Sequence, residues 1–277
     1  MSKYKDLFME QKKNPNEVNP VLFQINDLYE TACFPAHFHD EIEILHVIYG
    51  QINVMIFDKE YTLSEGTMCF IPSMAIHTIR NSANVSKYDC CLMNVPFYTK
   101  QNININDYSI SPVITDSEIV KDFIKLKNVF HNQDQLFGNI LLRSLSICFF
   151  INLINRCSFK SSIHSFKNDK KIEIVKEVSL FLNEHSSENI DIDAICKKYG
   201  YSPSYLSRLF KKYTHTTMTK TLNNYRCLNA QRLLTTENLS VTEVCELCGY
   251  SNYSYFTKTY KEYIGELPST TKSKYYT

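Results

Sequence analysis

"DIDAICKKYGYSPSYLSRLFKKY" (191–213) decides how the second half of this chain folds. Leu206, Leu209, Phe210 and Tyr213 recur at i, i+3, i+4 and i+7, the spacing of one helix face. Ser204, Ser207, Arg208 and Lys211 repeat at the same spacing on another side, with Lys212 beside them. Upstream, Ile192, Ile195, Cys196 and Tyr199 form the apolar stripe of a shorter helix. Gly200 stands where that helix must stop, because glycine takes positive φ without steric cost. Asp191 can cap the first helix, and Pro203 sits where a second helix begins and a missing N–H costs nothing.

The pattern recurs in "SVTEVCELCGYSNYSYFTKTYKEY" (240–263). Val241, Val244, Cys245 and Cys248 repeat the first stripe before Gly249, and Ser240-x-x-Glu243 is a capping box. In the next helix Phe256 and Tyr260 match Leu206 and Phe210. The polar stripe returns as Ser254, Thr257, Lys258 and Lys261. Between the copies, "TMTKTLNNYRCLNAQRLL" (217–234) reads as one long helix, which at 1.5 Å per residue spans roughly 27 Å.

A single amphipathic basic helix is ordinarily a solvated face of a bundle, but repetition of both stripes after a glycine turn points elsewhere. A helix–turn–helix buries its first helix and one side of its second, and projects the other side into a DNA major groove. Arg208 can bond guanine bidentately, and Lys258 can donate to it as a point charge. Ser204, Ser207, Ser254 and Thr257 can reach bases or phosphates. Lys211, Lys212, Lys220 and Lys261 suit phosphates, which set register.

Residues 191–269 resemble the DNA-binding domain of AraC/XylS-type transcription regulators. The resemblance covers about 100 residues from Lys171 and rests on "SPSYLSRLFKK", "YRCLNAQRLL", "CGYSNYSYFTKTYKEYIGELPS" and their spacing. It implies Ser204, Ser207 and Arg208 in one groove, and Tyr253, Ser254, Thr257 and Lys258 in the next. It also implies promoter DNA, RNA polymerase and a second copy of the chain as partners, and activation more often than repression. Two positions depart from the family: His215 stands where a glycine is usual, and "PSTTK" (268–272) replaces the usual ending.

Charge agrees with this placement. The chain of 277 residues has a net charge of only +1, yet from Ile195 onward it carries 12 Lys+Arg against 5 Asp+Glu. A basic excess at one end suits a polyanion there. Ten cysteines with no apolar leader in "MSKYKDLFMEQKKNPNEVNP" (1–20) predict reduced thiols and a cytoplasmic protein. "SICFFINLI" (146–154), the longest apolar run, carries an Asn and predicts no membrane span. Cys245 and Cys248 lie on an apolar stripe and are read as core, and Cys90-Cys91 on a strand would face opposite ways.

Residues from about 20 to 97 alternate apolar and polar between turn signals, as in "QINVMIFDKEYTL" (51–63), which predicts short strands. Helical spacing follows over 116–157, then a polar linker over 158–170. "HFHDEIEILHVIYG" (37–50) and "GTMCFIPSMAIHTIRN" (66–81) resemble the two cupin motifs, which implies a small barrel with His37, His39, Glu43 and His77 converging inside. Three imidazoles and a carboxylate suit Fe, Mn, Ni or Zn. Metal-free regulators of this kind keep parts of these motifs, so the four residues are assigned to an organic effector pocket, with a sugar as a frequent class and no metal or cofactor.

The expected architecture is therefore α+β: residues 1–157 form a cupin-like β-barrel with a helical dimerisation segment. Residues 171–277 form an all-α domain with two helix-turn-helix units, near 191–213 and 240–263. The resemblance implies a dimer seam on the apolar helix at 139–157, though packing on the barrel fits the pattern equally. The expected function is an effector-controlled regulator and not an enzyme. The alternatives are a metal-dependent cupin enzyme with a helical assembly domain, and a constitutive architectural DNA-binding protein.

Overall fold

The computed structural model describes residues 19–29, 33–81, 85–104, 108–132, 137–159 and 169–276; side chains at 24–29, 33–35, 81 and 159 are not described. The chain divides into two compact units, Met1–Ser165 and Phe166–Thr277. The division falls within the expected linker, of which 160–168 lie outside the described residues, as does the N-terminal stretch 1–18.

The first unit contains strands β1 (Val21–Tyr29), β2 (Cys33–His37), β3 (Ile42–Tyr49), β4 (Gln51–Ile56), β5 (Lys59–Ser64), β6 (Met68–Ile71), β7 (His77–Asn81) and β8 (Val85–Met93). A short helix α1 (Val95–Thr99), strands β9 (Ser109–Ile110) and β10 (Val113–Ile114), helices α2 (Ser117–His131) and α3 (Gly138–Cys157), and β11 (Ser158–Phe159) complete it. Strands β9 and β11 pair with each other as a separate two-stranded ladder, while the other nine lie in a five-stranded sheet, order β1-β8-β3-β6-β10, and a four-stranded sheet, order β2-β7-β4-β5. They meet face to face through side chains, so among the described residues the expected barrel is two hydrogen-bonded sheets and not one closed ring.

Strand β3 is buried on both faces from Ile42 to Val47, and so shows no alternation. Ile42 and Ile44 join Met68, Phe70, Cys91 and Met93 in a core against Phe123, Phe149, Phe150 and Leu153 of α2 and α3. Register puts Glu43 opposite Ile71 and Leu92, and Leu45 opposite Cys69 and Cys90, on the side that looks toward the second sheet. There, Val54 pairs with Ile79 and Ile56 with His77.

Helix α3 corrects the reading of its apolar run. At 20 residues it is long and apolar enough, by length and composition, to cross a membrane. The run looks short only when it is stopped at Asn152 and Arg143. Leu142, Phe149, Phe150 and Leu153 pack into the core of this unit, while Phe137, Ile140, Leu141 and Ile151 are exposed.

The second unit contains helices α4 (Lys170–Glu184), α5 (Ile192–Lys198), α6 (Pro203–Thr214), α7 (Met218–Thr236), α8 (Val241–Leu247), α9 (Tyr253–Ile264) and α10 (Pro268–Ser273). The expected caps form: Asp191 accepts from the Asp193 amide at 2.9 Å, and Ser240 and Glu243 bond each other's amides at 3.2 and 2.7 Å. Gly200 and Gly249 take φ of 74° and 76°. The second turn is one residue longer, since α6 is capped by Ser202 and α9 by Asn252, so Ser251 is the inserted residue. His215 caps α6 at φ 56° as Gly265 caps α9 at φ 89°, each amide donating 2.9 Å to a carbonyl four residues back. Near the C-terminus, buried Thr271 bonds Tyr260 at 3.0 Å and Glu266 at 2.8 Å, so the altered ending keeps an anchor.

Candidate nucleic-acid interface and histidine cluster

Helix α6 presents two sides of opposite chemistry. Leu206, Leu209, Phe210 and Tyr213 are buried, whereas Ser204, Ser207, Arg208, Lys211 and Lys212 are exposed. The Arg208 Nε donates to the Ser204 carbonyl at 3.2 Å, which steadies the stem. Arg208 stands between two hollows of about 210 and 330 Å³. The larger is also lined by Lys171 and Lys212, and the smaller by Lys211 and Thr217 at the start of α7. Lys171 and Thr217 were not singled out in the sequence, because neither lies on the repeated stripe.

Helix α9 repeats the arrangement. Phe256, Thr259 and Tyr260 are buried, and Tyr253, Ser254, Lys258 and Lys261 are exposed. Thr257 differs from expectation: it is half-buried, its hydroxyl oxygen is inaccessible, and that oxygen has no hydrogen-bond partner. In this rotamer the hydroxyl is not offered outward.

Helix α7 joins the two copies. Its Cys227, Ala230 and Leu234 pack with Val244, Cys245, Cys248, Tyr250, Phe256 and Tyr260, which confirms that the cysteine pair is core. Asn223 donates to the Tyr255 hydroxyl at 2.9 Å, and Tyr263 donates to the Lys220 carbonyl at 3.0 Å. Arg226 donates to the carbonyls of Ser186 at 2.7 Å and Glu188 at 2.8 Å, with its guanidinium 5.3 Å from the Tyr250 ring centre. This arginine ties the segment after α4 to the second turn. In the sequence it is one more cation in a polar helix, with no signal of its role.

In the first unit, His37, His39, Glu43 and His77 do converge, with their ligand atoms within 4.8 Å of one another. Glu43 and His77 are buried, while His37 and His39 are partly accessible. Both His39 Nε2, at 3.1 Å, and His77 Nε2, at 2.9 Å, point at the same carboxylate oxygen, Glu43 Oε2. The His37 ring centre lies 4.1 Å from that of His77. Burial disfavours charge on Glu43, but the neighbouring histidines hold its carboxyl well below the usual range. Burial likewise pushes His39 down, and the carboxylates of Glu41 and Glu43 outweigh it and hold the ring above its ordinary value. Cys90 donates its thiol to Glu43 Oε1 at 3.2 Å. Sequence reasoning missed this because it depends on Leu45 pairing with Cys90 across two strands.

Comparison with known proteins agrees with both halves. A family model described as AraC-like ligand binding domain matches residues 19–145, and one described as helix-turn-helix domain matches 195–274. The chain is 24% identical over 269 residues to the HTH-type transcriptional activator RhaS of Salmonella schwarzengrund, covering 92% of this chain and 90% of the relative. Among solved structures it is similar to an apo point variant of ToxT from Vibrio cholerae strain SCE256, with TM-score 0.54 and 14% identity over 92% of this chain and 98% of that one. ToxT from Vibrio cholerae O395 gives TM-score 0.50 at 12% identity, covering 93% and 98% of the two chains. At such identity these two structures speak for the fold alone.

Proposed function

We propose, from the premise that the chain belongs to the AraC/XylS family of transcription regulators, that it grips one face of a DNA duplex with two recognition helices. Regulators of this family bind promoter DNA through the helical unit and small effectors through the sheet-rich one, and nothing in the family points to an enzyme. The observation that carries the proposal is the duplicated exposed side of α6 and α9, held apart by α7. At 19 residues α7 spans roughly 28 Å, which suits two helices one DNA turn, about 34 Å, apart.

In this proposal Arg208 and Lys258 read base edges with Ser204, Ser207, Tyr253 and Ser254, and Lys211, Lys212, Lys220 and Lys261 hold phosphates. The chain works as a homodimer that recruits RNA polymerase and activates, as RhaS is named an activator. The exposed apolar residues of α3, Ile140, Leu141 and Ile151, support the dimer seam. An effector in the first unit changes promoter occupancy only through different affinities for the two arrangements of the chain.

The test is salt. Duplexes selected from a random pool by the full chain are titrated between 50 and 200 mM salt. Four phosphate contacts predict a loss of roughly 100-fold in affinity, since each contributes a slope of about −0.9. A flat profile refutes the proposal and leaves the enzyme or assembly reading.

A further inference from the structure

We propose that the hollow between α4 and α6 seats a backbone phosphate of the DNA strand bordering the groove that α6 reads, and that Lys171 is a DNA contact from outside the two helix-turn-helix copies. The inference rests on the duplex reading above and extends it to a residue that neither copy contains.

Three observations carry it. The first is where the hollow lies on the recognition helix. At about 3.6 residues per turn, Ser204, Ser207, Arg208 and Lys211 make the outward stripe, and Tyr205 and Lys212 come next on one flank. The hollow, of about 330 Å³, opens on that flank and is lined by Lys171, Tyr205, Arg208, Leu209, Lys212 and Tyr213. A helix about 10–12 Å across fills a major groove about 12 Å wide, so a phosphate strand runs along each of its flanks. With Arg208 directed at base edges, the flank beside it meets phosphates.

The second observation is charge. Three of the lining side chains, Lys171, Arg208 and Lys212, are exposed cations that two helices bring to one place. Like charges gathered round a hollow repel, and a phosphate among them turns that repulsion into attraction. The feature is particular to the first copy. At the offset of 50 that relates α6 to α9, Lys212 becomes Glu262, an exposed acid.

The third observation is that the seat is held in shape. Asp169 accepts from the Lys171 amide through Oδ1 at 2.9 Å and from the Tyr213 hydroxyl through Oδ2 at 3.2 Å. One carboxylate thus caps α4 and fastens its first turn to α6, which fixes the Lys171 backbone beside the recognition helix. The Lys212 ammonium lies 5.1 Å from the Tyr213 ring centre, an attraction that steadies its long stem. Tyr205 stacks on Tyr201, with ring centres 5.2 Å apart and 18° between their planes, and makes a stiff wall.

The full chain is tested on the selected duplexes. Lys171→Gln keeps the backbone amide that Asp169 caps, and its melting temperature should match the wild type because the side chain is exposed. One phosphate contact contributes a slope of about 0.9, so between 50 and 200 mM salt the variant should lose about 3.5-fold less affinity than the wild type. Lys171→Arg should restore the slope. Lys171→Gln should weaken selected duplexes and duplexes with a scrambled half-site by the same factor, as a contact to phosphate does. Replacing phosphates one at a time with neutral methylphosphonates then locates the seat. One position should cost the wild type affinity and cost the Lys171→Gln/Lys212→Gln variant nothing. A steep wild-type slope that Lys171→Gln leaves unchanged, or a methylphosphonate profile identical in the double variant, overturns the seat and leaves the duplex reading standing. A flat wild-type slope refutes the duplex reading itself, and the seat with it.

Discussion

Gly200 and Gly249 occupy matching turns with nearly equal φ, yet alanine should affect them differently. At Gly200, a Cβ meets nothing within 4 Å. The cost of Gly200→Ala is then only that of an L-residue at φ 74°, about 1 kcal/mol. At Gly249, an added Cβ lies 2.7 Å from the Ser187 carbonyl oxygen, 2.8 Å from its carbon and 3.1 Å from the Ser186 oxygen. Backbone cannot swing aside as a flexible side chain can. This stretch is further pinned by Arg226, which bonds the carbonyls on either side of Ser187, at Ser186 and Glu188. Overpacking against a fixed wall adds about 1–3 kcal/mol, for a total of about 2–4 kcal/mol.

Calorimetric or circular-dichroism melts of the full chain measure the difference. Near 100 residues, 1 kcal/mol corresponds to roughly 4–8 °C. The transition of the helical unit should fall by about 5 °C for Gly200→Ala and by about 10–20 °C for Gly249→Ala. Equal losses, or a larger one at Gly200, would mean that the segment after α4 yields freely and that Arg226 does not hold it against the second turn.

Arg208→Ala should weaken binding to the selected duplexes by about 1–3 kcal/mol with no change in melting temperature, because the side chain is exposed; an unchanged footprint counts against its place in the groove. His215→Gly should raise the melting temperature of the helical unit, since His215 holds φ 56° where its counterpart is Gly265. Relief of the left-handed strain amounts to about 1 kcal/mol, and a destabilised variant would show that the histidine side chain contributes more than its backbone costs.

Much of the helical unit was legible because its signals are local. A cap, a positive-φ glycine and a stripe at 3.6-residue spacing each act within a turn or two, and each appears twice. Gly200 and Gly249 lie 49 positions apart and Leu206 and Phe256 lie 50 apart, but the cause of that change, Ser251 inserted before the Asn252 cap, needed the dihedral angles. The sheet-rich unit was less legible. Strand β3 lies between helices on one side and a second sheet on the other, so burial erases its alternation. The convergence of His37, His39, Glu43 and His77 was implied by the resemblance to the two cupin motifs, whereas Cys90 reached Glu43 only through strand register. Arg226 escaped notice for a similar reason, since its partners lie 40 and 38 residues away and are carbonyls, which carry no sequence label.

The two recognition helices are copies in fold but not in chemistry, and on the proposed reading this divides their labour. The first carries Arg208, whose planar fork matches the two acceptors of guanine and is worth about 1–3 kcal/mol of discrimination. The second offers Lys258 at the matching place, a point charge that tolerates a wider range of acceptors. Its threonine hydroxyl at 257 is turned inward, which removes a further donor from its outer side. Tyr253 and Tyr255 are exposed in its first turn, where broad ring faces add contact area. Sequence preference should thus be sharper in the half-site under α6, while α9 contributes more to register and overall grip. The rigid ties along α7, Asn223 to Tyr255 and Tyr263 to Lys220, then let the discriminating half fix where the permissive half lands.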